Sequence, residues 1–241
     1  MSHLAQRDFI QVASEKLSPY FQDCNVLEIG SLNINGTVRD FFQNCNYIGL
    51  DVAPGKDVDV VCQGQSYAAP DNSFDNVISC EAMEHNPYWR ETIVNMIRIC
   101  RPGGLVLLTC ATVGRAEHGT SRTRGMDSPL TTELGWDYYQ NLTESDIRKV
   151  ASIERQFSRF KFWINWSSYD LYFAGIKASD DPLMDISGGW NSMVAAIDSY
   201  TRSENSQKRC RYRAFFARIF GDRWFVKMRA FEEVLSYVHG R

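Results

Sequence analysis

Five short apolar stretches, each closed by a polar residue or a glycine, recur between positions 25 and 111 and limit the folds open to this chain. They run from Asn25 to Gly30 (NVLEIG), Asn46 to Asp51, Asp57 to Val61, Phe74 to Ser79 and Leu105 to Ala111. Runs of this length are characteristic of strands buried on both faces, and the segments between them are long enough for helices. The alternation predicts an α/β domain on an open, doubly wound, mostly parallel sheet. Between the fourth and fifth runs, Asn86 and Pro87 open a helix carrying Trp89, Ile93, Met96, Ile97 and Cys100, and Arg101 to Gly104 turns the chain into the next strand.

The flanks complete the pattern. Leu4, Phe9, Ala13 and Leu17 are spaced for a helix that ends before Ser18 and Pro19. Val113 to Asn141 is a polar loop of little periodicity, and a loop of this length in a compact domain is usually functional. Thr143 and Asp146 start a helix reaching Ile153 in the manner of a capping box. The aromatic runs Phe160 to Trp166 and Tyr169 to Lys177, joined by Ser167 and Ser168, add a hairpin, for seven strands with an antiparallel end. The expected organisation is a helical lid over 1–24, a catalytic domain over 25–178 and a helical appendage over 179–241. Residues 205–241 carry nine basic and three acidic residues among many aromatics. They are expected to pack on their own domain or in a homodimer, with association with an anionic membrane as the second choice.

Composition excludes several classes. With 241 residues, 44% of them apolar and 23% charged, the chain is not disordered and can bury a core without disulfides or a structural metal. A net charge of −3 gives no field for a polyanion, so nucleic acid is not an expected partner. Seven scattered cysteines with no C-x-x-C pair suggest reduced thiols. With neither a signal-peptide pattern at the start nor an apolar run of about 20 residues, a cytoplasmic protein is expected. The N-x-S/T triplets at Asn35, Asn141 and Asn165 are then chance.

In an open α/β sheet the ligand lies across the carboxyl ends of the strands. The first strand closes on Glu28, Gly30 and Ser31, and its loop continues to Asn35, Gly36 and Thr37, where a helix amino end could present free N–H groups. Asp51 closes the second strand twenty-one residues after Gly30, a distance suited to binding ribose hydroxyls. GSLNING is not the G-x-G-x-x-G of a nicotinamide-binding domain.

VLEIGS, YIGLDV, PDNSFDNVISCEAMEH and RICRPGGLVLLT, in this order and spacing, resemble successive motifs of the class I S-adenosylmethionine-dependent methyltransferases, and the resemblance runs from about Asn25 to Lys177. It implies a Rossmann-like fold, with YDLYFAGIK as the last strand inserted antiparallel, and S-adenosylmethionine as cofactor. It also implies that Glu28, Gly30, Ser31, Asn35 and Gly36 form the first cofactor loop, with Gly30 and Ser31 near the methionine end. Asp51 would bind the ribose, Val52 flank the adenine, Gln63 and Gly64 meet its polar edge, and Cys80 and Glu81 line the sulfonium side. Leu32 stands where the family usually has glycine, and Gln63 where it has an acid, although an amide oxygen accepts the same hydrogen bond. Asn86, Pro87 and Tyr88 lie six residues too late for an N-P-P-Y site of DNA-base methylation.

Methyl transfer from a sulfonium depends largely on alignment, with a base needed where a hydroxyl must lose its proton. His118, early in the loop after the fifth strand, is the expected general base or positioning group, with His85 as the alternative. Glu81, Glu84 and His85 resemble the E-x-x-E-H element of certain metal-assisted methyltransferases, although the expectation is that no metal is used. Arg122, Trp136, Asp137, Tyr138 and Tyr139 suit a small polar acceptor. The expected activity is methylation of a hydroxyl oxygen on a saccharide or hydroxylated metabolite. The alternatives are N-methylation of a small molecule and a non-catalytic cofactor-binding partner module.

Overall fold

The computed structural model describes residues 4–123, 125–180 and 185–201, together with 215–217, 219 and 221. Seven strands form one sheet: β1 (Asn25–Ile29), β2 (Asn46–Asp51), β3 (Val60–Val61), β4 (Phe74–Cys80), β5 (Cys100–Ala111), β6 (Phe157–Asn165) and β7 (Asp170–Lys177). Their order is β3-β2-β1-β4-β5-β7-β6. The first five are parallel, and β7 runs antiparallel between β5 and β6. The helices are α1 (Leu4–Lys16), α2 (Trp89–Ile99), α3 (Pro129–Glu133), α4 (Glu144–Ala151), α5 (Ile153–Gln156) and α6 (Ser187–Thr201).

Because side chains alternate along a strand, neighbouring residues serve opposite layers. Leu27, Val77 and Val106 pack with Ile93, Met96 and Ile97 of α2 and Ile147 of α4. Val26, Ile78 and Leu107 face the other way, onto Phe9, Ile10 and Ala13 of α1 and Trp190, Met193 and Ile197 of α6. Each of the Val, Leu, Ile, Phe and Met side chains among them stabilises the fold by roughly 1.5–3 kcal/mol on burial. The segment expected as a lid is therefore part of the core layer. Phe9 stacks on Tyr172 at 4.7 Å, and the Tyr172 hydroxyl donates to the Ala5 carbonyl at 3.0 Å.

The structure corrects several expectations. The connection from β1 to β2 contains one tight turn, Arg39–Phe41, and no α-helix. Asn33 accepts the Gly36 N–H on its side chain at 3.1 Å, a local bond that competes with a helical start. No helix amino end therefore stands at Asn35 to Thr37, and α1 and α6, from outside the crossovers, cover that face instead. β3 keeps only two residues, because the Asp59 carboxylate turns back to accept the Gly49 N–H at 2.6 Å. The loop after β5 contains α3, which begins at Pro129 directly after Ser128. The capping box of Thr143 and Asp146 forms as expected, but the helix breaks at Ser152, which has φ +46°. The hairpin turn spans four residues, 166–169. The basic aromatic segment 205–241 lies outside the described residues except at 215–217, 219 and 221. No described helix is long and apolar enough to cross a membrane.

Glu28 is a charge this arrangement disfavours. It sits 4% exposed on β1, and the Tyr47 hydroxyl donates to it at 2.7 Å. Burial pushes its carboxyl from 4.5 up to about 7, against the opposing effect of the Tyr47 bond. With the folded value raised, folding favours the protonated form. The stability this contributes is complete below about pH 4.5 and is lost as pH rises through 7. Glu28→Gln is expected to match the parent near pH 4.5 and to exceed it by about 3 kcal/mol above pH 8, measured by urea unfolding. Equal curves at both pH values would contradict a buried, proton-preferring carboxyl.

Candidate active site

The strand order reverses between β1 and β4, and the crevice there opens at the carboxyl edge. Gly30 leaves β1 with φ +83°, and a Cβ on it would stand 2.4 Å from the Ala82 Cβ. Only glycine lets the loops after β1 and β4 meet this closely. The Gly30 and Ser31 N–H groups both donate to the Leu50 carbonyl, at 2.8 and 3.1 Å. Asp51 accepts the Leu32 N–H at 3.0 Å on one carboxylate oxygen and the Val52 N–H at 2.7 Å on the other. Each oxygen keeps lone-pair capacity for a ligand hydroxyl.

A cavity of about 50 Å³ lies over these residues, bounded by Gly30, Leu32, Asp51, Glu81, His85 and the segment Ser128 to Thr131. The donor set suits the sulfonium nucleoside implied by the sequence, with a glycine cradle at Gly30 and a carboxylate at the end of β2, whereas the buried Ser31 hydroxyl lies outside the cavity lining, against Gly49. The volume falls well short, since sites for molecules of this size run from roughly 300 Å³ upward. Ser128 to Thr131, at the start of α3, take up space that such a ligand needs.

On the inner side of the cavity three rings converge. The His85 and His118 ring centroids are 4.9 Å apart, and Tyr139 lies 5.5 Å from His85 and 5.1 Å from His118. His85 ends the tight turn Met83–His85 after β4, whereas His118 and Tyr139 come from the two arms of the loop after β5. The Ala116 carbonyl fastens those arms together, accepting from the Tyr139 hydroxyl at 3.1 Å and lying 3.1 Å from His118 Nδ1. Glu84 anchors the same corner: its Oε1 accepts the Ala111 N–H at 3.1 Å, and its carbonyl accepts the Gln140 N–H at 2.9 Å.

The electrostatics are those of a nearly dry pocket. Burial pushes the Glu81 carboxyl well above the usual carboxylate range, the nearby Glu84 and Asp170 charges add to this, and Arg115 opposes it. Arg115 stands 3.9 Å from Glu81 and 3.3 Å from Asp170. Burial, with the neighbouring His118 second, holds the His85 imidazole well below its ordinary value.

Not every residue expected from the sequence reaches the crevice. Gly30, Asp51, Glu81 and His85 line the cavity. Cys80 is fully buried in the layer beneath α1, and Asn35, Gly36 and Val52 lie outside the cavity lining. Gln63 accepts a bond from Gln65 at 2.7 Å, and the Gly64 carbonyl accepts from Asn95 at 2.7 Å, so both stabilise the β3 edge. Arg122 and Asp137 pair with each other at 2.8 Å on the surface, with Glu117 also on Arg122. Trp136 packs edge-on against Tyr88, and the Tyr138 hydroxyl donates to Gln140. Of these five, Tyr139 alone joins the histidines. Sequence reasoning missed Leu32, Ala82, Arg115 and Ser128 to Thr131. The adjacent Ser128 and Pro129 are a helix-start signal that would have found α3, while nothing local marks Arg115.

Residues 27–108 match the sequence profile of the family described as a methyltransferase domain. A search of the curated proteins gives no match. Among solved structures, the chain is similar to the Burkholderia thailandensis 1,6-didemethyltoxoflavin-N1-methyltransferase with bound 1,6-didemethyltoxoflavin and S-adenosylhomocysteine. The TM-score is 0.50 at 12% identity, over 73% of this chain and 79% of that one. A Haloferax volcanii complex of a methyltransferase with the Trm112 activator gives 0.47 at 14% identity, over 72% and 92%. A Haemonchus contortus phosphoethanolamine N-methyltransferase 2 gives 0.48 at 15%, over 69% and 52%. At 12% identity the first of these likenesses concerns the fold alone.

The small cavity leads to a direct expectation. Adding S-adenosylhomocysteine should displace Ser128 to Thr131 and change amide hydrogen exchange across 125–135, with exchange in α2 unaltered. Saturable binding that leaves exchange over 125–135 unchanged would show that the ligand sits elsewhere.

Proposed function

We propose that this chain is a class I S-adenosylmethionine-dependent methyltransferase and that it methylates a hydroxyl oxygen of a small polyhydroxylated molecule, a saccharide or a hydroxylated metabolite. The cofactor supplies an electrophilic methyl group on sulfur. Asp51 receives the ribose hydroxyls on lone pairs that the Leu32 and Val52 N–H groups leave open. Gly30 and Ser31 face the methionine end, and Glu81 borders the transferring methyl. The acceptor oxygen lies against His85 and His118, with Tyr139 as the wall behind them.

The observation that supports this reading is the corner where the buried His85 meets the half-buried His118 and Tyr139, beside the crevice of Gly30 and Asp51. It offers polar ring atoms to an uncharged oxygen in a space largely closed to water, where alignment counts most. The substrate face is therefore small and inward, and Arg122 and Asp137 serve the loop rather than the acceptor. One observation favours a second reading: the buried carboxylates Glu81 and Glu84 could hold a cationic amine, which would make the product an N-methyl compound.

Incubation with methyl-labelled cofactor and a panel of sugars, hydroxylated metabolites and amines tests both readings. Label is expected in methyl ethers, and label confined to amines would establish the second reading. Asp51→Ala should weaken cofactor binding at least tenfold, about 1.4 kcal/mol, by calorimetry. His118→Asn should lower kcat by about a hundredfold with cofactor affinity intact. Unchanged kcat in His118→Asn would remove this loop from the acceptor site.

A further inference from the structure

We propose that Glu84, His85 and His118 form a binding site for one divalent transition-metal ion, of which zinc is the reference case. One ligand atom from each of the three lies within 4.8 Å of the other two. The set differs from the one suggested by the E-x-x-E-H run: Glu81 faces Arg115 and the cavity, and His118, thirty-three residues beyond His85, takes its place.

Three features show a site built for an ion. First, polar atoms are buried there without partners. His85 is 2% exposed, yet both its ring nitrogens have no hydrogen-bond partner among the described residues, and the wholly buried Glu84 has only the neighbouring Glu81 carboxyl beside its free oxygen. Buried polar atoms are ordinarily satisfied, and a cation would satisfy several of these at once. Second, the ligands are held from behind. The Ala111 N–H fixes Glu84 Oε1 and leaves Oε2 to the site. The Ala116 carbonyl beside His118 Nδ1 selects the tautomer with the proton there, leaving Nε2 as the lone-pair donor. Third, the backbone makes room. Gly119 has φ +64°, and a Cβ on it would stand 2.8 Å from His85 Cε1. Two imidazoles and one carboxylate suit zinc and its first-row neighbours better than magnesium or calcium, which favour all-oxygen sets.

The inference rests on reading this corner as the acceptor side. Three protein ligands leave coordination positions for the acceptor, and a polyhydroxylated molecule can fill them with oxygens. A bound hydroxyl loses its proton more readily. With an ion held there, that proton would be released to solvent, the oxygen would form its bond to the methyl carbon, and the carbon–sulfur bond would break to leave a neutral thioether.

The test uses the full chain, stripped with a chelator, without cofactor or acceptor. Titration with Zn²⁺ by calorimetry and with Co²⁺ by visible absorption should each saturate at one ion per chain. His118→Ala should abolish the tight phase, as should Glu84→Gln, with circular dichroism reporting that each variant folds. His118 lies in a loop, so its variant keeps the test decisive even where Glu84→Gln does not fold. Cys45→Ser controls for the other close donor pair, since Cys24 and Cys45 sulfurs lie 3.1 Å apart. Saturation kept in His118→Ala, lost in Cys45→Ser, or absent from the parent chain would overturn the proposal. Because no methyl transfer is read, that outcome would leave the methyl-transfer reading standing.

Discussion

The site depends on one buried carboxylate, that of Glu84. Its Oε1 accepts the N–H of Ala111, the last residue of β5, while its backbone carbonyl accepts the N–H of Gln140 where the long loop returns. One residue thus ties the loop after β4 to the end of β5 and to the far arm of the loop after β5. The Leu142 N–H bond to the Ala111 carbonyl and the Thr112 hydroxyl bond to the Leu142 carbonyl, at 2.9 and 2.6 Å, close the seam. This tether works with the Ala116 carbonyl to bring His118 and Tyr139 to His85. Removing the carboxylate would also leave a buried N–H unpaired, a cost of about 1–3 kcal/mol.

The same corner concentrates charge. Glu81, Glu84 and Asp170 are buried together, and Arg115 is the cation the structure sets among them, near Glu81 and Asp170. Charges held this far from water interact strongly, so such a cluster favours either bound protons or a bound cation. An acidic corner is also electrostatically apt beside a sulfonium centre. The fold accepts the cost because both layers around it are well filled: α2 and α4 on one face, α1 and α6 on the other.

How far the sequence could be read differs by element. The strands were legible because runs such as NVLEIG and LVLLT carry their burial in composition, and a sheet buried on both faces needs only that. The start of α4 was legible because Thr143 and Asp146 are a complete local device. The β1–β2 connection was misread, since length alone suggested a helix while the Asn33 side chain had already committed the backbone to a turn. Leu32 was judged by the glycine it replaces, yet its N–H bonds Asp51 and its side chain borders the cavity. Arg122, Trp136 and Asp137 had the chemistry of a substrate site, but surface partners satisfy them instead.

By itself, then, the sequence determined the alternation of strands and helices, the carboxyl edge where a ligand lies, and the roles open to Gly30 and Asp51. These follow from local patterns of burial and from backbone freedom at single positions. The tertiary structure alone decided that Glu84, His85, His118 and Tyr139 meet, that Cys80 faces the core, and that α3 stands over the crevice. Bonds between residues 27 and 23 positions apart, Ala111 to Glu84 and Tyr139 to Ala116, bring the arms of these loops together. Such bonds leave no periodic trace in the chain, because each depends on where a loop closes and not on which residues neighbour it in sequence.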